Sequence, residues 1–140
     1  MRPRVCIPWL AVLALLAGCG TAPRPPGTLV GIRLEDFAVK TTRTSLRAGV
    51  VTFRVANDGP STHELLVVRT DAPIDALPFD SNGLRVDEES PRIQIVKTVE
   101  TLLIGDRSDL TVTLPAGRYV LFCNLEGHYL SRMRAEIDVR

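Results

Sequence analysis

A two-residue alternation of apolar and polar side chains recurs along this chain, and it leaves little room for helices. In residues 50–57, Val51, Phe53 and Val55 share one face while Thr52 and Arg54 share the other. In residues 109–114, Leu110, Val112 and Leu114 alternate with Thr111 and Thr113. The last run places Met133, Ala135, Ile137 and Val139 on one side and Arg134, Glu136, Asp138 and Arg140 on the other. Successive side chains of a strand point to opposite faces, so each segment buries one face of a sheet and wets the other. Residues 63–68 are almost continuously apolar, as strands covered on both faces are, and another strand is expected over 118–123, with Tyr119, Leu121 and Cys123 on one face. Further strands are expected over 28–34, 37–42 and 93–103. Turn-forming clusters intervene, among them Asn57-Asp58-Gly59-Pro60 and Pro115-Ala116-Gly117. The expectation is an all-β chain folded as an antiparallel β-sandwich. Residues 71–92, with acids, prolines and scattered apolar side chains, read as a long solvated loop holding at most one short helical turn.

The 140 residues suffice for one domain. The first of them have a different character. Arg2 and Arg4 precede an apolar run over 5–16, too short to cross a bilayer comfortably but suited to the core of a signal peptide. The run ends in Leu16-Ala17-Gly18-Cys19, which resembles a bacterial lipobox. That resemblance implies cleavage before Cys19 and acylation of its thiol. Residues 1–18 would be a lipoprotein signal peptide, 19–27 a Pro- and Gly-rich tether, and 28–140 the folded domain. An ordinary secretory signal or an uncleaved anchor is the alternative. The formal net charge is only +1, with no basic stripe interleaved with aromatics, so nucleic acid is not an expected partner.

Cysteine usage sharpens the reading. Of the three cysteines, Cys6 lies in the signal, Cys19 would carry lipid, and Cys123 is left without a partner. An unpaired thiol in an exported domain is a liability unless it is buried or bound. The domain also holds two histidines, His63 and His128, and one methionine, Met133. Taken singly, these could be a core thiol, two surface imidazoles and a core thioether. Taken together, one thiolate, two imidazoles and one thioether are the donors of a blue-copper electron-transfer centre. Cys123 ends one strand and Met133 begins another, with His128 in the turn between them. His63 starts a further strand after the 57–60 turn.

Two blocks, AGVVTFRVANDGPSTHELLVV and LPAGRYVLFCNLEGHYLSRM, resemble the cupredoxin family, and within it plastocyanin-, azurin-, sulfocyanin- and rusticyanin-like domains. The resemblance implies a Greek-key β-sandwich and assigns His63, Cys123, His128 and Met133 as ligands of one type 1 copper ion. It makes Asn57, Glu64 and Asn124 candidates for hydrogen bonds that orient the ligand loops, although Asn57 could equally serve the turn alone. It makes His128 the electron port, with Leu125, Tyr129 and Leu130 around it as an apolar docking patch. Two residues depart from the family pattern: Glu126 stands where Pro is frequent, and Arg132 stands where Gly is common.

These expectations describe a monomeric, lipid-anchored carrier of single electrons between redox proteins of the cell envelope, and not an enzyme. Copper delivery, storage or resistance would use the same ligands, though such carriers are often richer in Met and His. A metal-free adhesion or assembly module would treat the ligand set as coincidence.

Overall fold

The alternation read from the sequence becomes nine strands in the computed structural model, which describes residues 27–140. They are β1 (Thr28–Glu35), β2 (Ala38–Thr41), β3 (Ser45–Leu46), β4 (Gly49–Asn57), β5 (His63–Arg69), β6 (Gln94–Leu102), β7 (Arg107–Leu114), β8 (Gly117–Phe122) and β9 (Arg134–Val139). No helix occurs among the described residues. The expected signal peptide, Cys19 and all of the expected tether except Gly27 lie outside them.

The strands form two sheets, one in the order β2-β1-β4-β7 and the other β3-β9-β8-β5-β6. The all-β sandwich is as expected, but its sheets are mixed and not purely antiparallel. Strand β1 pairs parallel with β4, from Thr28 opposite Val51 to Leu34 opposite Asn57. Strand β3 pairs parallel with β9. The cause is the path of the chain after the β1–β2 hairpin. It crosses to the second sheet as β3 and re-enters the first at the end where β1 began, so β1 and β4 run the same way.

Alternation explains the main core. Val51, Phe53 and Val55 of β4 are fully buried, and they share one cluster with Leu65, Val67, Tyr119, Leu121 and Ile137 of the other sheet. Each such side chain withdrawn from water contributes about 1.5–3 kcal/mol. The continuous apolar strands β5 and β8 need a second cover, and the 71–92 segment supplies it. Leu66, Val68, Val120 and Phe122 point away from the main core and are buried under Ala72, Leu77, Val86, Ile93 and Tyr129. The segment is therefore a packed flap and not a solvated connection, and it contains no helical turn. Its tip is closed by an antiparallel bridge between Phe79 and Val86.

One end of the sandwich collects the ends that matter. Strands β1 and β4 finish there at Glu35 and Asn57, β5 starts there with His63, and β8 stops just before Cys123. Strand β9 then leaves the same end at Arg134. All four donor residues found in the sequence are thus gathered at one pole.

Candidate metal centre

The imidazole of His63 enters the site because a rigid turn delivers it. Asn57 is fully buried, and its side-chain amide donates to the Ser61 carbonyl at 2.8 Å and to the Leu102 carbonyl at 2.9 Å. Its side-chain oxygen accepts the Gly59 N–H at 3.0 Å. These bonds fasten the 57–63 turn to β6, so Asn57 does more than form a turn. His63 follows with no solvent exposure at all.

The second ligand loop is closed on itself. The Cys123 N–H donates to the Met133 carbonyl at 3.2 Å, and the Met133 N–H donates to the His128 carbonyl at 3.0 Å. The His128 N–H donates to the Leu125 carbonyl at 2.9 Å. Ten residues of chain therefore return Met133 beside Cys123, and both side chains are completely buried in the main core. Gly127, at a φ of 79°, makes the reversal in a conformation that a side chain would resist. Arg132 adopts a φ of 73° without that freedom. A side-chain-bearing residue held in the left-handed region costs about 1–2 kcal/mol, partly offset against glycine's larger unfolded-state entropy. Arg132→Gly is accordingly expected to stabilise the protein by up to about 1 kcal/mol, read as a higher urea midpoint at constant slope.

The three strong donors converge. The Cys123 Sγ lies 3.4 Å from the His128 Nδ1 and 4.0 Å from the His63 Nδ1. One donor atom from each of the three residues lies within 4.8 Å of the others. Metal–nitrogen and metal–sulfur bonds of about 2.0–2.3 Å in a trigonal plane place such donors about 3.7 Å apart, so the spacing fits a single ion. The two rings meet edge to face, 5.2 Å between centroids. Two imidazoles, a thiolate and a thioether from the same loop suit a copper ion that changes valence. The donor count is complete without a carboxylate.

Burial favours the neutral forms of two of the donors, Cys123 and His128. Burial pushes the Cys123 thiol up from its ordinary value, against the backbone N–H groups of Glu64 and Leu125. Burial, then the nearby His63, drives His128 down. Metal binding must displace the thiol proton, and the Glu64 N–H at 3.5 Å from the sulfur is placed to donate to the resulting thiolate. That contact joins the two ligand loops through the backbone. The Glu64 carboxyl, raised chiefly by burial and then by Glu88, is steadied by the Asn124 backbone N–H. The Asn124 side chain points the other way. It accepts the Val86 N–H at 2.7 Å, donates to the Val86 carbonyl at 3.1 Å and to Glu88 at 2.8 Å, and so ties the flap to the ligand loop.

Around His128 the expected patch needs one correction. Leu130 is 47% exposed and Leu125 is half-buried, but Tyr129 is only 1% exposed. Its hydroxyl donates to the Ile74 carbonyl at 2.6 Å and accepts the Leu77 N–H at 3.2 Å, which turns the ring inward under the flap. Phe37 takes the place at the surface: it is 49% exposed and meets the His128 ring edge to face at 5.4 Å. Sequence reasoning also missed Asp36, whose carboxylate lies 2.8 Å from the His63 Nε2. The Ser61 hydroxyl donates to the same carboxylate at 2.6 Å and is the main cause of its lowered pKa. Neither Asp36 nor Phe37 carries a motif; both sit in the β1–β2 hairpin turn.

No family model matches the sequence, and no curated protein matches it. Solved structures do match its fold. The dithionite-reduced auracyanin of Roseiflexus castenholzii superposes with a TM-score of 0.61 at 19% identity, over 82% of this chain and 98% of its own. Auracyanin A of Chloroflexus aurantiacus, described as a "blue" copper protein, gives 0.52 at 23% identity, over 80% and 99%. A reduced rusticyanin gives 0.55 at 20% identity, over 82% and 81%. The sandwich is therefore the cupredoxin fold.

Proposed function

We propose that this protein is a one-electron carrier of the bacterial cell envelope, built around a type 1 copper site and held to a membrane by lipid on Cys19. The observation that carries the reading is the convergence of a buried thiol and two imidazoles, within 4.8 Å, at the one pole where the ligand loops meet. His63, Cys123 and His128 would hold the ion in a trigonal set, and Met133 would supply the weak axial sulfur. Copper so bound supplies a reversible Cu(I)/Cu(II) couple.

The chain's own groups make that couple fast. Asn57 and Asn124 fix the two ligand loops from opposite sides, so the donors need not rearrange as an electron arrives or leaves. The auracyanin A superposition supports the copper identity, since that protein is described as a blue copper protein. His128 is partly exposed, with the half-exposed Phe37 against its ring and the exposed Leu130 two residues on in the same loop, and this is where a redox partner would approach. The function is transport of an electron and not transformation of a substrate.

Electron self-exchange, followed by NMR line broadening in mixtures of the reduced and oxidised protein, tests this role. Rapid exchange with slow copper release to a chelator is expected. Rapid release with sluggish exchange would mark a copper-delivery protein instead. For the anchor, fatty-acid labelling is expected to mark the wild-type protein and to be lost in Cys19→Ala.

A further inference from the structure

We propose that Asp36 is a positioning residue for the metal centre: its carboxylate fixes the tautomer of His63 and strengthens that ring as a donor to the oxidised ion. The inference rests on the copper reading and adds to it a residue outside the ligand set. His63 is completely enclosed, so whatever its Nε2 meets decides how the ring sits. What it meets is Asp36 Oδ1 at 2.8 Å. An ionised carboxylate only accepts hydrogen bonds, so Nε2 carries the proton. The lone pair then remains on Nδ1, the atom 4.0 Å from the Cys123 sulfur.

Two further observations show that the pair is built into the fold. The second carboxylate oxygen accepts the Ser61 hydroxyl at 2.6 Å, which stops Asp36 from rotating away. Gly59 leaves the space the pair occupies: a Cβ there would lie 2.9 Å from Asp36 Oδ1 and 3.0 Å from His63 Nε2. The Asp36 side chain is only 24% exposed, so its charge is partly withdrawn from water and acts on the site. A neutral acceptor would orient the ring equally well. A carboxylate also increases its basicity and adds negative charge, and both favour the higher-valent ion.

The test uses the full chain, metal-free and copper-loaded. In the metal-free protein, nitrogen-15 NMR is expected to show His63 protonated at Nε2, and Asp36→Ala to mix the two tautomers. With copper, Asp36→Asn is expected to lose about 10–100-fold in Cu(II) affinity, as outer partners of ligand histidines do. With Cu(I) affinity unchanged, this raises the midpoint potential by about 60–120 mV, at 59 mV per tenfold. Gly59→Ala, which forces the pair apart without removing either group, is expected to shift the potential in the same direction. Unchanged tautomer and potential in the Asp36 and Gly59 variants would overturn the proposal. A wild-type protein that gains no colour with Cu(II) would instead overturn the copper reading, and the metal-free tautomer would still decide whether Asp36 sets the ring.

Discussion

Replacing Cys123 by serine is expected to abolish the intense visible absorption of the copper-loaded protein and to weaken Cu(II) binding by more than about 100-fold, beyond what outer partners of a ligand cost. The sulfur is the one soft, anionic donor at the site, and a thiolate-to-copper bond is the source of strong colour in such centres. An alcohol at the same position is far harder to ionise and binds as a neutral oxygen. The fold should survive, because serine nearly matches cysteine in volume and its hydroxyl would meet the Glu64 N–H and His128 Nδ1, now 3.5 Å and 3.4 Å from the sulfur. Visible spectroscopy and competition with a copper chelator check the outcome. A serine variant that kept its colour would mean that Cys123 is not a ligand.

The second large effect falls on stability. Tyr129→Ala is expected to destabilise the protein by about 3–5 kcal/mol, the range for removing a buried aromatic ring. The ring is held edge-on between Phe79 and Phe122, with the Arg134 guanidinium 4.6 Å above its centre. Its hydroxyl serves the flap at two backbone groups, Ile74 and Leu77. Tyr129→Phe separates the contributions: it keeps the ring, and leaving those groups short of a partner costs about 1–3 kcal/mol. Urea unfolding of the metal-free protein gives both numbers. An alanine variant less than about 1 kcal/mol weaker than wild type would restore Tyr129 to the surface patch that the sequence suggested.

That difference shows what a single sequence makes legible. Strands β4, β7 and β9 could be read because Val51, Leu110 and Ile137 repeat at a period set by the backbone itself. The ligand set could be read because the domain holds so few soft donors that Cys123, His63, His128 and Met133 are all there are. The flap could not, since Ala72, Leu77 and Val86 follow no period and become a core only when β5 and β8 are beneath them. Tyr129 was misplaced for the same reason: a loop residue looks exposed until the flap that covers it is known. The parallel β1–β4 pairing depends on which end the chain re-enters, which no local signal encodes. Asp36 is 27 residues from His63, and nothing in the hairpin turn announces that it will reach a ligand. Arg132 was the exception, because its departure from glycine pointed to the one non-glycine residue of positive φ among those described.

The central claim is that one pole of this sandwich holds a single copper ion through a thiolate and two imidazoles. Titrating the metal-free protein with Cu(II) while recording its visible spectrum tests it most directly. The expected result is an intense blue or green colour that saturates at one copper per chain. A protein that stays colourless, or that takes up copper without the strong thiolate absorption, would contradict it.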